Sequence, residues 1–165
     1  MSDLFPGAYW VQPGKLLAGP YPGGWSADRA RERMQKVLGA GVTFFLDLTE
    51  PDESKPYFLA AQAEVRGTRV FHRRMDIADM DVPTPEHMTD ILDTLDTALD
   101  EGHTVYVHCM GGIGRTGTVI GCWLVRHGLD GQAALDELVR LRGGLRDSPE
   151  TDEQRRFVRT WREGS

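Results

Sequence analysis

Apolar and polar positions along the chain change period several times, and each change predicts an element. Residues 9–18, YWVQPGKLLA, read as two short strands folded around a Pro-Gly turn, and the GPYPGG that follows reads as a loop. In 27-ADRARERMQKVLGAG-41, Met34, Val37 and Leu38 form a helical apolar face and the glycines end the run. The segment 42-VTFFLDL-48 is apolar almost without interruption, the pattern of a central strand buried on both faces. Residues 57-YFLAAQAEV-65 suit a helix, 69-RVFH-72 a short strand, and 73-RRMDIADMDVPTP-85 a loop rich in aspartate and proline.

The clearest helix comes next. Thr84 is its cap, Pro85 its first residue, and Met88, Ile91, Leu92, Leu95 and Leu99 make one stripe before Gly102. A strand, 104-TVYVH-108, leads into a glycine-rich turn, and 115-RTGTVIGCWLVRHG-128 is apolar nearly all round, which predicts a buried helix. Amphipathic helices near 131–142 and 152–162 finish the chain. Strands alternating with helices, with no repeat or linker-like segment, predict an α/β fold: one domain over 1–165 with a mainly parallel sheet flanked by helices.

Composition narrows the function. At 165 residues the chain can bury about two-thirds of its unfolded surface without disulfides. Its 40% hydrophobic and 27% charged content is that of a soluble globular protein, and no apolar run approaches the roughly 20 residues of a membrane span. MSDLFPGAYWV lacks the basic-then-apolar plan of a signal peptide, so the cytoplasm is the expected compartment, and a monomer is expected. The two cysteines, Cys109 and Cys122, have neither the number of a disulfide framework nor the spacing of a zinc site. With 25 acidic against 19 basic side chains the formal charge is -6, which argues against nucleic acid as the partner. An anionic substrate must therefore be held by local design.

That design is visible in 105-VYVHCMGGIGRTG-117. In open α/β sheets, ligands bind beyond the carboxyl ends of strands, and this turn lies at such an end. If the next helix starts near Arg115, the turn from Met110 to Gly114 sits at its N-terminus, where free amides and the helix dipole attract anions. Gly111, Gly112 and Gly114 allow close backbone approach, and Arg115 adds a planar fork of donors that matches phosphate oxygens in pairs. A cysteine in such a field is expected to act as a thiolate, a ready nucleophile, and Thr116 can give its hydroxyl to that sulfur when it leaves.

HCMGGIGRTG resembles the signature loop of the cysteine-dependent protein tyrosine phosphatases: histidine, cysteine, five residues, arginine, then serine or threonine. The small size resembles the dual-specificity branch, particularly bacterial members and the cyclin-dependent-kinase-associated phosphatases. The resemblance implies a phosphatase-like fold with the phosphate loop between a strand and a helix. It implies that Cys109 attacks phosphorus while Arg115 and the amides of Met110, Gly111, Gly112, Ile113, Gly114 and Arg115 hold the oxygens. His108 would hydrogen-bond backbone near the cysteine, and no metal or other cofactor is implied. A rhodanese-like sulfur-transfer loop is the rival, but that family requires neither the arginine-threonine pair nor a separate acid loop.

The family also carries an aspartate upstream, which protonates the leaving oxygen and later activates water. Here 76-DIADMDVPTPE-86 offers Asp76, Asp79 and Asp81, and the related loops map onto 77-IADMDVP-83 so as to select Asp79. The bland alternative is three solvated carboxylates, one capping a turn. The segment 148-SPETDEQRRF-157 resembles the loop in which these phosphatases position the hydrolytic water with glutamines; Gln154 is present, and Glu150 replaces the first glutamine. A helix cap at Ser148-Pro149 or Thr151 explains the same residues independently.

Cys122 reads as core rather than as a redox partner, and Tyr21, Trp10 and Trp25 either wall a pocket for a phenyl ring or pack the sheet edge. The basic stretch Arg66, Arg69, His72, Arg73 and Arg74 reads as solvated surface, with a rim that draws in acidic substrates as the alternative. The expected activity is a phosphomonoesterase on phosphotyrosine proteins, extending to phosphoserine and phosphothreonine if the pocket is shallow. Alternatives are an inositol-phosphate or phosphoinositide phosphatase, or a silent phosphate-binding module. Lipid phosphatases often place lysines where Met110, Gly112 and Ile113 stand here.

Overall fold

The strands expected around the first turn are β1 (Tyr9–Gln12) and β2 (Leu16–Gly19), and β3 (Phe44–Asp47), β4 (Phe71–Arg74) and β5 (Val105–His108) complete one sheet in a computed structural model that describes residues 4–24, 26–58 and 69–163. The sheet order is β1-β2-β5-β3-β4. β1 is antiparallel to β2, and the other neighbours are parallel. β3 is an interior strand between β5 and β4 with side chains in both core layers, as its apolar run predicts. One expectation shifts. The strand expected at 69–72 lies two residues later, because Arg73 and Arg74, which look loop-like by charge, pair with Leu46 and Asp47 of β3.

Five helices are present among the described residues: α1 (Ala27–Gly39), α2 (Pro85–Asp100), α3 (Gly114–Arg126), α4 (Gly131–Leu141) and α5 (Asp152–Arg159). The helix expected at 57–65 falls outside the described residues beyond Tyr57 and Phe58. The strand period of two sorts the core into layers. Leu16, Ala18, Leu46, Val105 and Val107 face a core built with α2, α3, α4 and α5, whereas Leu17, Phe45 and Tyr106 face Met34 and Val37 of α1. On α2, Met88, Ile91, Leu92 and Leu95 are fully buried, each contributing on the order of 2 kcal/mol. Ala98 completes that stripe where Leu99 was expected, and Leu99 is only partly buried. α3 is buried from Gly114 through Leu124, as its all-round apolarity requires. Among the described residues no helix is long and apolar enough to cross a membrane.

The carboxyl ends of the parallel strands align. Gly19, His108, Asp47 and Arg74 are register partners across β2, β5, β3 and β4, so one rung carries a glycine, a histidine, a carboxylate and an arginine. The loop that follows His108 rests on this polar rung.

Candidate active site

Between the end of β5 and the start of α3, the chain turns through residues 109–113. Cys109 is buried, and its Sγ accepts hydrogen bonds from the Gly112 N–H at 3.3 Å and the Thr116 hydroxyl at 3.0 Å. Gly112 has φ +74°, and a Cβ there would lie 2.5 Å from the Gly19 carbonyl carbon and the Pro20 nitrogen, so both conformation and space demand glycine. The Tyr21 N–H donates to the Met110 carbonyl at 3.0 Å and ties the loop to the end of β2.

The start of α3 differs from every other helix start among the described residues. Ser26, Thr84, Asp130 and Thr151 each cap a helix by accepting a first-turn N–H. Ile113 caps α3 and offers no such acceptor. The first-turn amides of the helix that follows the cysteine are thus left without a side-chain cap, the arrangement that suits an external anion.

Arg115 is buried, and its fork does not lie open as the sequence suggested. Nη1 donates to Glu53 Oε1 at 2.7 Å and to the Ile77 carbonyl at 3.0 Å, and Nη2 meets Glu53 Oε2 at 2.5 Å and Asp79 Oδ1 at 3.3 Å. Nε is buried without a partner among the described residues. Burial opposes the Arg115 charge, but the hydrogen bonds to Glu53 and the nearby Cys109 and Asp79 outweigh it and raise its pKa. Glu53 shifts the other way, its carboxyl held below its ordinary range chiefly by the Arg115 hydrogen bond. Both partners are thus charged, and the paired edge of the guanidinium is aimed by Glu53.

The three aspartates of the acid loop go to different places. Asp79 is 65% exposed and is the one whose carboxylate pairs with Arg115. Asp81 accepts the Val82 N–H at 2.8 Å with its own carboxylate, and the Asp76 carbonyl accepts from His87 Nε2 at 3.0 Å. Gln154, fully buried, is the N3 residue of a capping box on α5. Its Oε1 accepts the N–H groups of Glu150 and Thr151, each at 3.1 Å, and its Nε2 donates to the Asp81 carbonyl at 3.2 Å.

Behind the loop lies a buried polar network. His108 Nδ1 donates to the Cys109 carbonyl at 3.1 Å, which makes Nε2 the acceptor of the Tyr57 hydroxyl. Burial pushes the His108 pKa down to about 4, against a weaker upward pull from Asp47, so the ring is neutral and keeps this tautomer. Asp47, 1% exposed, accepts from the Thr49 N–H and hydroxyl at 2.9 and 2.6 Å, and meets His72 Nε2 at 2.9 Å and Arg74 Nη2 at 3.4 Å. Burial alone would raise its pKa, but His72, His108 and Thr49 together hold it well below the ordinary carboxylate range.

This corrects the reading of the basic stretch: His72 and Arg74 are committed to Asp47, Arg69 lies over the Phe71 ring, Arg73 is exposed, and Arg66 is outside the described residues. Tyr21 donates its hydroxyl to the Lys55 carbonyl at 2.6 Å and walls a hollow with Met110, whereas Trp10 lines a separate hollow with Leu4 and Lys36. Trp25 lies outside the described residues. Cys122 is buried, and burial raises its thiol pKa well above the ordinary value, which makes it inert. Sequence reasoning missed Glu53, Asp47 and Tyr57. The available signal was position: Asp47 ends a strand, and Glu53 and Tyr57 lie in or beside the loop that follows it.

A strand, a cysteine in a glycine loop, an uncapped helix start and a buried arginine together define a phosphate-cradle fold. A profile of the family described as "Tc-R-P: Polymorphic toxin system, DSP-PTPase phosphatase" matches residues 22–129. The chain belongs to this family of dual-specificity and protein tyrosine phosphatases. It is 29% identical over 151 residues to "Phosphatidylinositol 3,4,5-trisphosphate 3-phosphatase and protein-tyrosine-phosphatase PTEN1" of Arabidopsis thaliana, covering 89% of this chain and 35% of that one. The chain spans about a third to a half of the length of the first curated relatives it matches. Among solved structures, Tk-PTP in its active form superposes with a TM-score of 0.73 at 28% identity, over 94% of this chain and 95% of that one. The PP-IP phosphatase SIW14 of S. cerevisiae shares the fold, with a TM-score of 0.72 at 16% identity over 98% of this chain and 90% of that one.

Proposed function

We propose that the protein hydrolyses phosphomonoesters through a phosphocysteine, with phosphotyrosine side chains as the preferred substrate class. The observation that carries this reading is convergence: Cys109 with two donors on its sulfur, a helix start with no side-chain cap, and Arg115 with Asp79 3.3 Å away.

The phosphate dianion is held by the amides of Met110, Gly111, Gly112, Ile113, Gly114 and Arg115, with the Nε–H of Arg115, which has no partner among the described residues, as a further donor. The Cys109 thiolate attacks phosphorus as the P–O bond breaks, and the Asp79 carboxylic acid gives its proton to the leaving oxygen. Water then attacks the phosphocysteine, Asp79 takes its proton, and the P–S bond breaks. The sulfur departs as a thiolate stabilised by the Thr116 hydroxyl and the Gly112 N–H. His108 and Tyr57 hold the cysteine backbone from behind.

A second reading, an inositol-phosphate phosphatase, draws support from the names of PTEN1 and SIW14. The hollow of about 360 Å³ beside Met110 weighs against it. Among the described residues that line it, Arg33 is committed to the carbonyls of Tyr21 and Gly23 at 3.0 and 3.4 Å, which leaves Lys55 as the other cation beside an uncharged Met110. That lining matches one phosphate on an aryl carrier better than a ring bearing several. Steady-state rates on phosphotyrosine, phosphoserine and phosphothreonine peptides and on inositol phosphates, with Cys109→Ser as control, test both readings. Preference for phosphotyrosine is expected. Efficient turnover of inositol phosphates alone would overturn it.

A further inference from the structure

Gly114 and Gly117, on the first turn of α3, leave a bare patch against which residues 148–154 pack. A Cβ on Gly117 would lie 2.1 Å from Ser148 Oγ, and one on Gly114 would lie 3.0 Å from Gln154 Oε1. The Ser148 hydroxyl donates to the Ile113 carbonyl at 2.7 Å, so this corner is fastened to the cysteine loop itself. From that base Gln154 reaches across to the acid loop.

The acid loop is a tight turn at this point. The Asp81 N–H donates to the Ala78 carbonyl at 3.0 Å, with Asp79 and Met80 as the central residues. Met80 has φ 67°, a conformation that a residue with a Cβ adopts only when the surroundings enforce it. The enforcement is visible at both ends: Arg115 holds the Ile77 carbonyl at 3.0 Å and Gln154 holds the Asp81 carbonyl at 3.2 Å. Gln154 Oε1, the atom that would accept a hydrogen bond from an attacking water, already receives two backbone N–H groups, which fill its two lone pairs.

We infer that Gln154 is a positioning residue, a latch whose Nε2 holds the turn that presents Asp79 above Arg115, rather than the group that orients the hydrolytic water. This rests on Asp79 being the acid of the proposed reaction. It acts through the Asp81 carbonyl and touches no reacting atom.

Gln154→Glu separates the two roles. An ionised carboxylate still accepts the Glu150 and Thr151 amides, so the helix cap survives, but it presents an oxygen to the Asp81 carbonyl and opens the latch. Rates on a series of aryl and alkyl phosphates with increasingly basic leaving groups should then fall progressively. The loss reaches about tenfold for unactivated phenols, a fraction of what general acid catalysis contributes. The partition of phosphocysteine between water and added glycerol should match wild type. Read in kcat/KM, which reports the phosphorylation step alone, a uniform loss across the series or an unchanged dependence on the leaving group would overturn the latch, as would an altered partition of phosphocysteine between water and glycerol. Asp79→Asn in the same series keeps the two readings apart: if it leaves the dependence unchanged, the acid assignment itself fails. If Gln154→Glu does not fold, the Gln154 side-chain amide in wild type gives the answer by ¹⁵N NMR. Slow exchange with solvent is expected, and exchange as fast as that of a free carboxamide would contradict the latch.

Discussion

The cysteine loop and the acid loop meet over one arginine, yet they are built in opposite ways. Cys109, Arg115 and Thr116 are all buried, and the loop that carries them is held from behind by His108, from the side by Tyr21 and from below by the rung Gly19–His108–Asp47–Arg74. The acid loop places Asp79 and Met80 in solvent and is held mainly by its carbonyls. Donors that stabilise developing charge are most effective when fixed and shielded from water, whereas a group that must meet a leaving oxygen and then a water belongs on an accessible segment. Arg115 joins the two, because one guanidinium binds Glu53, the Ile77 carbonyl and Asp79.

Substitutions on the buried side should be the more damaging. Cys109→Ser is expected to lower kcat/KM by at least about 10⁴-fold in steady-state assays, as the loss of a nucleophile does. Its thermal midpoint should stay close to wild type, since a hydroxyl accepts from Gly112 and Thr116 as the sulfur does. Arg115→Lys removes the planar fork, so a fall of about 10²–10³-fold in kcat/KM is expected, together with a lower midpoint in denaturant. On the exposed side, Asp79→Asn should cost about 10²-fold with unactivated phenyl phosphates, and less with more acidic phenols.

A smaller effect separates the two regions by pH. His108 is neutral in the fold because burial lowers its pKa to about 4 from 6.5. The unfolded chain therefore binds the extra proton first, and stability present above about pH 6.5 is lost as pH falls towards 4, by roughly 3 kcal/mol. Asp47, whose carboxyl is held below the ordinary range of a free aspartate, adds a second loss only below about pH 4. Denaturant unfolding from pH 8 to pH 4 should show the first slope in wild type and a flatter one in His108→Asn. Smallest of all, Cys122→Ala should leave kcat/KM within about twofold of wild type, because a buried, protonated thiol has no part in nucleophilic catalysis. An alkylating reagent should accordingly label Cys109 alone in the folded protein.

The same contrast explains what the sequence made legible. The cysteine loop is contiguous, so residue spacing alone places Cys109, Gly112, Arg115 and Thr116 around one point, and the apolar runs place it after a strand. Asp79 was selected by a short pattern, and its pairing with Arg115 depends on how residues 76–84 cross the sheet end, which no local period encodes. By sequence Glu53 is one charge in a polar turn and Asp47 a polar interruption of an apolar strand, and neither pattern marks a site. Their roles arise from partners 62 and 25–27 positions away. The helix cap at Thr151 was legible because it is local, but the contact of Gln154 to Asp81 across 73 positions was not.

A rapid acid quench of wild-type protein mixed with a phosphoryl-labelled aryl phosphate reads the covalent step itself. Label should appear on the peptide containing Cys109 before or together with released phosphate, and should be absent from Cys109→Ser. Turnover by wild type with no labelled protein, or label retained in Cys109→Ser, would contradict attack by the cysteine.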